Sequence, residues 1–177
     1  MKFENWLQIQ ESNLQDLYGS TVRAFPRTTK RQYAVDEITI ADLSWTPFLG
    51  VQTLFLKAKA KNEGNGKEYK PIILFKKVSY KDSKNRNWAE IVASDGRNYF
   101  FEKLNTRNEV LLRCNCADFT WRFNFEDHRD SSLYGRVRRK YEAKVNPGAS
   151  NPLELPGMCK HLIKLSQSLH QVGILEE

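Results

Sequence analysis

The stretch that decides the fold is LLRCNCADF, residues 111–119, in which two cysteines stand one residue apart after an apolar run. A second stretch, PGMCKHLIKL, residues 156–165, holds the third cysteine and, two residues later, a histidine. With 42 residues between the second and third cysteines, the pattern is Cys-x-Cys, spacer, Cys-x-His. It uses every cysteine and one of the three histidines, and an odd number of cysteines cannot form a closed set of disulfides.

The four side chains Cys114, Cys116, Cys159 and His161 are of the types that a tetrahedral zinc site takes. The two nearby cysteines end a predicted strand over residues 110–113, where residues two apart share a face. The third cysteine and the histidine follow a Pro-Gly pair at a predicted helix start, whose positive end stabilises thiolates. Because four protein ligands leave no position for an activated water, the pattern predicts one structural zinc ion. An iron–sulfur cluster on the same residues stays open as the alternative, since thiolates also bind it.

Charged neighbours of these four residues are expected to support the site. Three thiolates, a neutral imidazole and Zn²⁺ sum to a net charge of about −1. Arg113 and Lys160 adjoin the ligands in sequence, so we expect them to offset that charge. Asp118 is expected to cap the loop through backbone amides rather than to act as an acid or base.

The runs CNCADF, residues 114–119, and MCKHLIKL, residues 158–165, resemble the SWIM zinc finger, a small strand-strand-helix module. The resemblance covers residues 111–169 and implies that all four motif positions bind zinc. The spacer is longer than in compact members of the family, so the polar, turn-rich residues 126–156 are interpreted as an insertion. SWIM modules occur in transposase-related and helicase-associated proteins, ubiquitin ligases and recombination accessory factors. They are proposed to bind DNA or protein, so the resemblance implies one of these two partners.

The rest of the pattern predicts a single α+β domain over residues 1–177, with an antiparallel β-rich centre and a helix at each end. Apolar residues at helical spacing predict an amphipathic helix over residues 3–18, stopped by Gly19, and another over residues 162–172. Period-2 and turn signals predict the strands between them. These strands are residues 38–40, 53–58, 69–80, 88–93 and 99–104, with hairpin turns at 62–66 and 94–98.

One short aromatic run follows the cysteine pair. Phe119, Trp121, Phe123 and Phe125 alternate with polar residues. Because alternate residues of a strand share a face, this alternation predicts a strand whose aromatic face packs inside a sheet.

The charge of the chain favours an anionic partner. Lys and Arg number 28 against 21 Asp and Glu, which gives +7 and an isoelectric point near 9.3. Arg136, Arg138, Arg139 and Lys140 concentrate this charge in the insertion, where they could bind phosphates. The alternatives are a solvated insertion or contact with an acidic protein. Residues 25–32 are also basic and are interpreted as an extended surface arm.

Several classes of protein are not expected from this sequence. The longest apolar run, residues 72–75, is far shorter than the ~20 residues of a membrane-spanning helix. The polar start does not resemble a secretory signal, so we expect synthesis in a reducing compartment. Asp127, His128 and His170 lack an accompanying nucleophile, phosphate loop or second metal triad, and are expected to be surface charges. Neither an enzyme nor a small-molecule substrate is therefore expected.

A second resemblance concerns the whole chain. Residues 24–32, residues 45–50 and the two cysteine motifs are similar to small proteins of contractile-tailed phages of marine and cyanobacterial hosts. This implies a virion component of the neck, tail or baseplate that packs between larger subunits, or a cytoplasmic protein if no phage encodes it. We therefore expect a non-enzymatic structural protein with a closed zinc site that contacts other proteins. A zinc-dependent nucleic-acid-binding module is the alternative.

Overall fold

The computed structural model describes residues 12–25, 34–142 and 151–176. Helices α1, α2 and α3 span Leu14–Ala24, Asn124–Arg129 and Lys160–Gln171. Strands β1 to β10 span Ile38–Phe48, Thr53–Asn62, Glu68–Tyr69, Ile72–Phe75, Tyr80–Lys81, Trp88–Val92, Asn98–Glu102, Leu104–Asn105, Val110–Arg113 and Leu175–Glu176. One connected core of buried apolar side chains joins helices and sheets, which confirms the predicted single α+β domain.

The central sheet has the strand order β1-β2-β4-β9, antiparallel throughout, with the short β3 paired to the end of β2. In β2 the sequence LFLKAKAKN alternates apolar residues with lysines, so its apolar side chains are buried while its lysines are exposed. The register places Trp45, Leu56, Ile73 and Leu112 in one buried row across the four strands. This row fixes the position of β9, and with it the cysteine pair that follows β9.

The two predicted hairpin turns are confirmed. β6 and β7 pair antiparallel across the turn that contains Gly96, which has a φ of +79°. The turn between β2 and β3 contains Gly66, with a φ of +68°. A left-handed backbone is the conformation that glycine adopts without steric cost, so both turns follow directly from the sequence. β5 pairs antiparallel with the other edge of β7, and β8 and β10 form a parallel pair.

The N-terminal helix differs from its prediction at both ends. It begins at Leu14, with the Asn13 side chain accepting a hydrogen bond from the Asp16 amide, and it continues through Gly19 to Ala24. Thr21 and Ala24 are fully buried, and their packing outweighs the roughly 1 kcal/mol cost of an internal glycine. Residues 3–11 of the predicted helix and 26–32 of the predicted arm lie outside the described residues.

The prediction of an aromatic strand after the cysteine pair is wrong. Residues Phe119–Phe123 form a π-helical turn that leads into α2. Phe119 and Phe123 are buried, whereas Trp121 projects to the surface. Alternation over seven residues also places positions i and i+4 on one side of a helix, and in this case the helical alternative is the one formed.

Three further predictions are corrected. The strand predicted over residues 69–80 is divided into β3, β4 and β5, because Pro71 donates no ladder bond and Lys77 has a left-handed φ of +56°. The insertion predicted over residues 126–156 is not wholly a surface excursion, since Leu133 forms a parallel bridge with Leu112 of β9. Asp127 is 0% exposed, so its assignment as a surface charge is wrong.

None of the helices in the described ranges has the length and apolar character that crossing a bilayer requires.

Candidate metal centre

Four metal-ligating side chains converge in the core of the C-terminal half. Cys114 and Cys116 follow directly after β9, Cys159 is the N-cap residue of α3, and His161 lies in the first turn of that helix. All four side chains are buried, and their ligand atoms lie within 4.8 Å of one another. The structure therefore brings together all four residues predicted from the sequence, from segments 42 residues apart.

The spacing of these atoms suits a single ion. His161 Nδ1 lies 3.9 Å from Cys114 Sγ and 3.8 Å from Cys159 Sγ. A tetrahedral zinc ion with ordinary bond lengths separates its sulfur and nitrogen ligands by about 3.6 Å. Three soft sulfurs and one imidazole are also the donor set that zinc prefers, so the residues present are compatible with zinc.

The ring of His161 is oriented by two residues of the central sheet. Its Nε2 lies 2.9 Å from Asn62 Oδ1, which can only accept, so the Nε2–H donates. The Tyr69 ring lies against the imidazole, with centroids 4.5 Å apart. This arrangement leaves the Nδ1 lone pair facing the three sulfurs, which is the tautomer that a metal ligand requires.

Asn62 is the residue that sequence reasoning missed. It ends β2 and opens the turn over residues 62–66, so the sequence indicated only a turn former. The sequence offered one signal. In β2, buried apolar residues alternate with exposed lysines, and Asn62 takes one of the buried positions. A buried amide at such a position needs a polar partner, and His161 supplies it.

The three thiols carry unequal tendencies to ionise. Burial raises the pKa of Cys114 and of Cys159 well above the ordinary thiol value. Hydrogen bonds from Cys114 and Cys159 lower the pKa of Cys116, whose sulfur also accepts the Phe119 amide at 3.3 Å. A bound divalent cation would favour the thiolate form of all three cysteines.

The loop that precedes Cys159 is held by hydrogen bonds that its backbone amides donate to side chains of two helices. The Gly157 amide donates to Asp127 Oδ1 at 2.7 Å, and the Met158 amide donates to Thr21 Oγ1 at 2.8 Å. Burial raises the pKa of Asp127 well above the ordinary carboxyl value. The loop therefore depends on α1 and α2 as well as on its own sequence.

Two charged neighbours of the ligands make contacts that the sequence did not predict. Arg113 donates to the carbonyl oxygens of Tyr134 and Arg136, which ties the insertion to β9. Asp118 pairs with Arg122 and makes no capping bond to the helical turn that follows it. The Phe119 amide, donating to Cys116, is the backbone group that supports the loop.

The remaining candidate residues lie at the surface. Arg136, Arg138 and Arg139 are exposed, while Lys140 pairs with Glu154 and lies 3.9 Å from Glu126. His128 and His170 are also exposed, as the sequence indicated. His170 Nδ1 lies 2.9 Å from the carbonyl oxygen of Leu175, which connects α3 to β10.

Compared with protein-family models, curated proteins and solved structures, the chain has no significant match in any of the three. The SWIM and phage resemblances therefore stay predictions from the sequence motifs.

Proposed function

We propose that the chain binds one zinc ion through Cys114, Cys116, Cys159 and His161, and that it is a non-enzymatic interaction protein. The observation that carries the proposal is the convergence of three thiols and an oriented imidazole within 4.8 Å in the core. An iron–sulfur cluster would insert several iron and sulfide atoms between its ligands, and the close spacing favours a single ion instead.

The ion is structural in this proposal. Four buried protein ligands complete a tetrahedral shell and leave no position for a reacting water. The ligands link β9 to α3, and the second nitrogen of the histidine links both to β2. Binding of the ion is then coupled to folding, which in zinc-finger peptides is worth about 10–16 kcal/mol in apparent binding free energy.

The first experiment measures metal content and stability together. Protein purified without added metal is analysed for zinc and iron by plasma mass spectrometry, and its visible spectrum is recorded. We expect one zinc per chain and no absorption from a cluster. Iron with sulfide absorption would contradict the identity of the ion.

A matched pair of histidine variants then tests the site. His161→Asn should lose the zinc and melt at a lower temperature, since it removes one ligand and the Asn62 contact. His128→Asn, at an exposed histidine, is the control and should retain both properties. If His161→Asn and Cys159→Ser both retain zinc and the native melting temperature, the four residues do not form the site.

Nucleic-acid binding is the second candidate function. Arg136, Arg138 and Arg139 are exposed and have no acidic partner among the described residues, and the net charge is +7. Fluorescence anisotropy of zinc-loaded protein with random-sequence duplex DNA, at low and near-physiological salt, tests this function. Binding with a salt dependence that falls when the three arginines become glutamine would support it. Equal binding by that variant would remove these residues from the interface.

Assembly into a virion is a prediction that rests on the sequence resemblance. Mass spectrometry of purified phage particles, if a phage encodes the chain, would test it. Absence from the particle would contradict a role in the neck, tail or baseplate.

A further inference from the structure

Two exposed aromatic side chains form a pair on the surface beside the insertion. Trp121 and Tyr141 are 48% and 46% exposed, and their ring centroids lie 5.4 Å apart with planes at 50°. Exposed aromatic rings that lie together provide a flat apolar surface on which another ring can stack. The pair offers aromatic surface that the fold does not bury.

The pair is assembled by the fold from distant positions. Trp121 lies in the π-helical turn, while Tyr141 lies in the irregular segment 136–142, after the exposed arginines. The Arg138 amide donates to Asn124 Oδ1 at 2.7 Å, and Lys140 Nζ lies 5.7 Å from the centre of the Phe125 ring. These contacts hold the segment alongside the start of α2, so the fold fixes the relative positions of the two rings.

Positive charge adjoins the aromatic pair. Arg136, Arg138 and Arg139 precede Tyr141 on the same irregular segment, and all three are exposed. Lys140 is bound to Glu154, so its charge is already compensated. Among the described residues, the surface thus combines three guanidinium groups that have no acidic partner with two half-exposed aromatic rings.

We propose that this surface binds single-stranded nucleic acid, with bases stacking on Trp121 and Tyr141 and phosphates binding Arg136, Arg138 and Arg139. An exposed ring can stack only on a base that is not already stacked between neighbours, which a single strand provides and a duplex does not. Arginines bind the phosphates with little regard to sequence. The proposal rests on the second candidate function and specifies its substrate, and it does not depend on the identity of the metal.

The test compares two probes on the full-length, metal-loaded protein. Fluorescein-labelled oligo-dT of twenty nucleotides and a duplex of the same length are titrated by anisotropy over a series of salt concentrations. We expect the single strand to bind more tightly than the duplex at every salt concentration. Tighter binding of the duplex would overturn the proposal while leaving phosphate binding by the arginines intact.

Variants separate stacking from charge. Trp121→Ala should weaken oligo-dT binding about 5- to 150-fold, the range for loss of one stacked base, and should leave the salt slope unchanged. Changing Arg136, Arg138 and Arg139 to glutamine should lower the salt slope by about 2, at roughly 0.7 per phosphate contact on a single strand. Phe48→Ala is the matched control, since Phe48 is an exposed aromatic at the end of β1.

Two checks keep the outcome interpretable. Zinc content and melting temperature of Trp121→Ala must match the native protein. If they do not, Tyr141→Ala in the irregular segment provides a second test. Trp121→Phe, which keeps a ring, should recover part of the affinity. If both alanine variants bind oligo-dT as tightly as Phe48→Ala, the aromatic pair is not a stacking surface. If no nucleic acid binds even at low salt, the second candidate function fails along with this proposal.

Discussion

Gly157 should be intolerant of any side chain, because it lies where the ligand loop crosses α1 and the π-helical turn. A Cβ atom at this position would lie 2.5 Å from Thr21 Oγ1 and 2.7 Å from Phe123 Cε1, whereas ordinary contacts are 3.4–4 Å. Overpacking of this kind costs about 1–3 kcal/mol. Moving Thr21 also breaks its hydrogen bond with the Met158 amide, at about 1 kcal/mol more. We therefore expect Gly157→Ala to lower the free energy of unfolding by about 2–4 kcal/mol.

The assay is urea unfolding of zinc-loaded protein, followed by circular dichroism, with zinc release measured in parallel. At a slope of about 2 kcal/mol per molar urea, the midpoint should fall by about 1–2 M. Gly19→Ala is the matched control. It makes the same substitution inside α1, where nothing lies within 4 Å of the added atom, so it should raise stability by about 0.5–1 kcal/mol. An unchanged or higher midpoint for Gly157→Ala would refute the packing described for the ligand loop.

Three other changes test the supports of the site. Asn62→Ala removes the acceptor of His161 Nε2–H and should weaken zinc binding about 10- to 100-fold in a chelator competition, and unchanged affinity would show that the ring needs no such support. Because burial raises the pKa of Asp127, the native protein should lose stability as pH rises above the ordinary carboxyl value. Asp127→Asn keeps an acceptor for the Gly157 amide but cannot ionise. The unfolding free energy of this variant minus that of the native protein should therefore increase with pH. A difference that does not change with pH would contradict the raised pKa of Asp127. Phe123→Ala should cost about 3–5 kcal/mol by thermal unfolding, and a loss below 1 kcal/mol would show that the ring is not tightly packed.

The ligands themselves could be predicted because thiol and imidazole groups in pairs at such short spacing are typical of metal sites. Cys114 and Cys116 stand where a strand ends, and Cys159 and His161 where a helix begins, so local structure already oriented each pair. The hairpin turns could be predicted for the same reason, because the turn at Gly66 depends only on residues adjacent to it in the sequence. Convergence of the two pairs was inferred from chemistry alone, and the tertiary structure supports it.

The residues that support the ligands could not be predicted in this way. Asn62 and Thr21 contact the site across 99 and 137 positions of the chain, and neither belongs to a recognisable motif. Asp127 looked like a surface acid because the spacer around it is polar, yet its carboxyl group is buried beneath the Gly157 amide. The aromatic residues that begin at Phe119 have a spacing that fits both a strand and a helix. Only packing against the core decides between the two.

The long reach of these contacts has a consequence for the synthesis of the chain. Cys114 and Cys116 leave the ribosome well before Cys159 and His161. The nascent protein therefore carries only two of the four ligands while the central sheet forms. The four-ligand site can close only when α1, β2 and α3 are all in place. A fragment covering residues 111–169 alone would lack Asn62 and Thr21, and we expect it not to behave as a detachable finger. Binding of the ion by a newly synthesised chain would then indicate that the whole domain has folded.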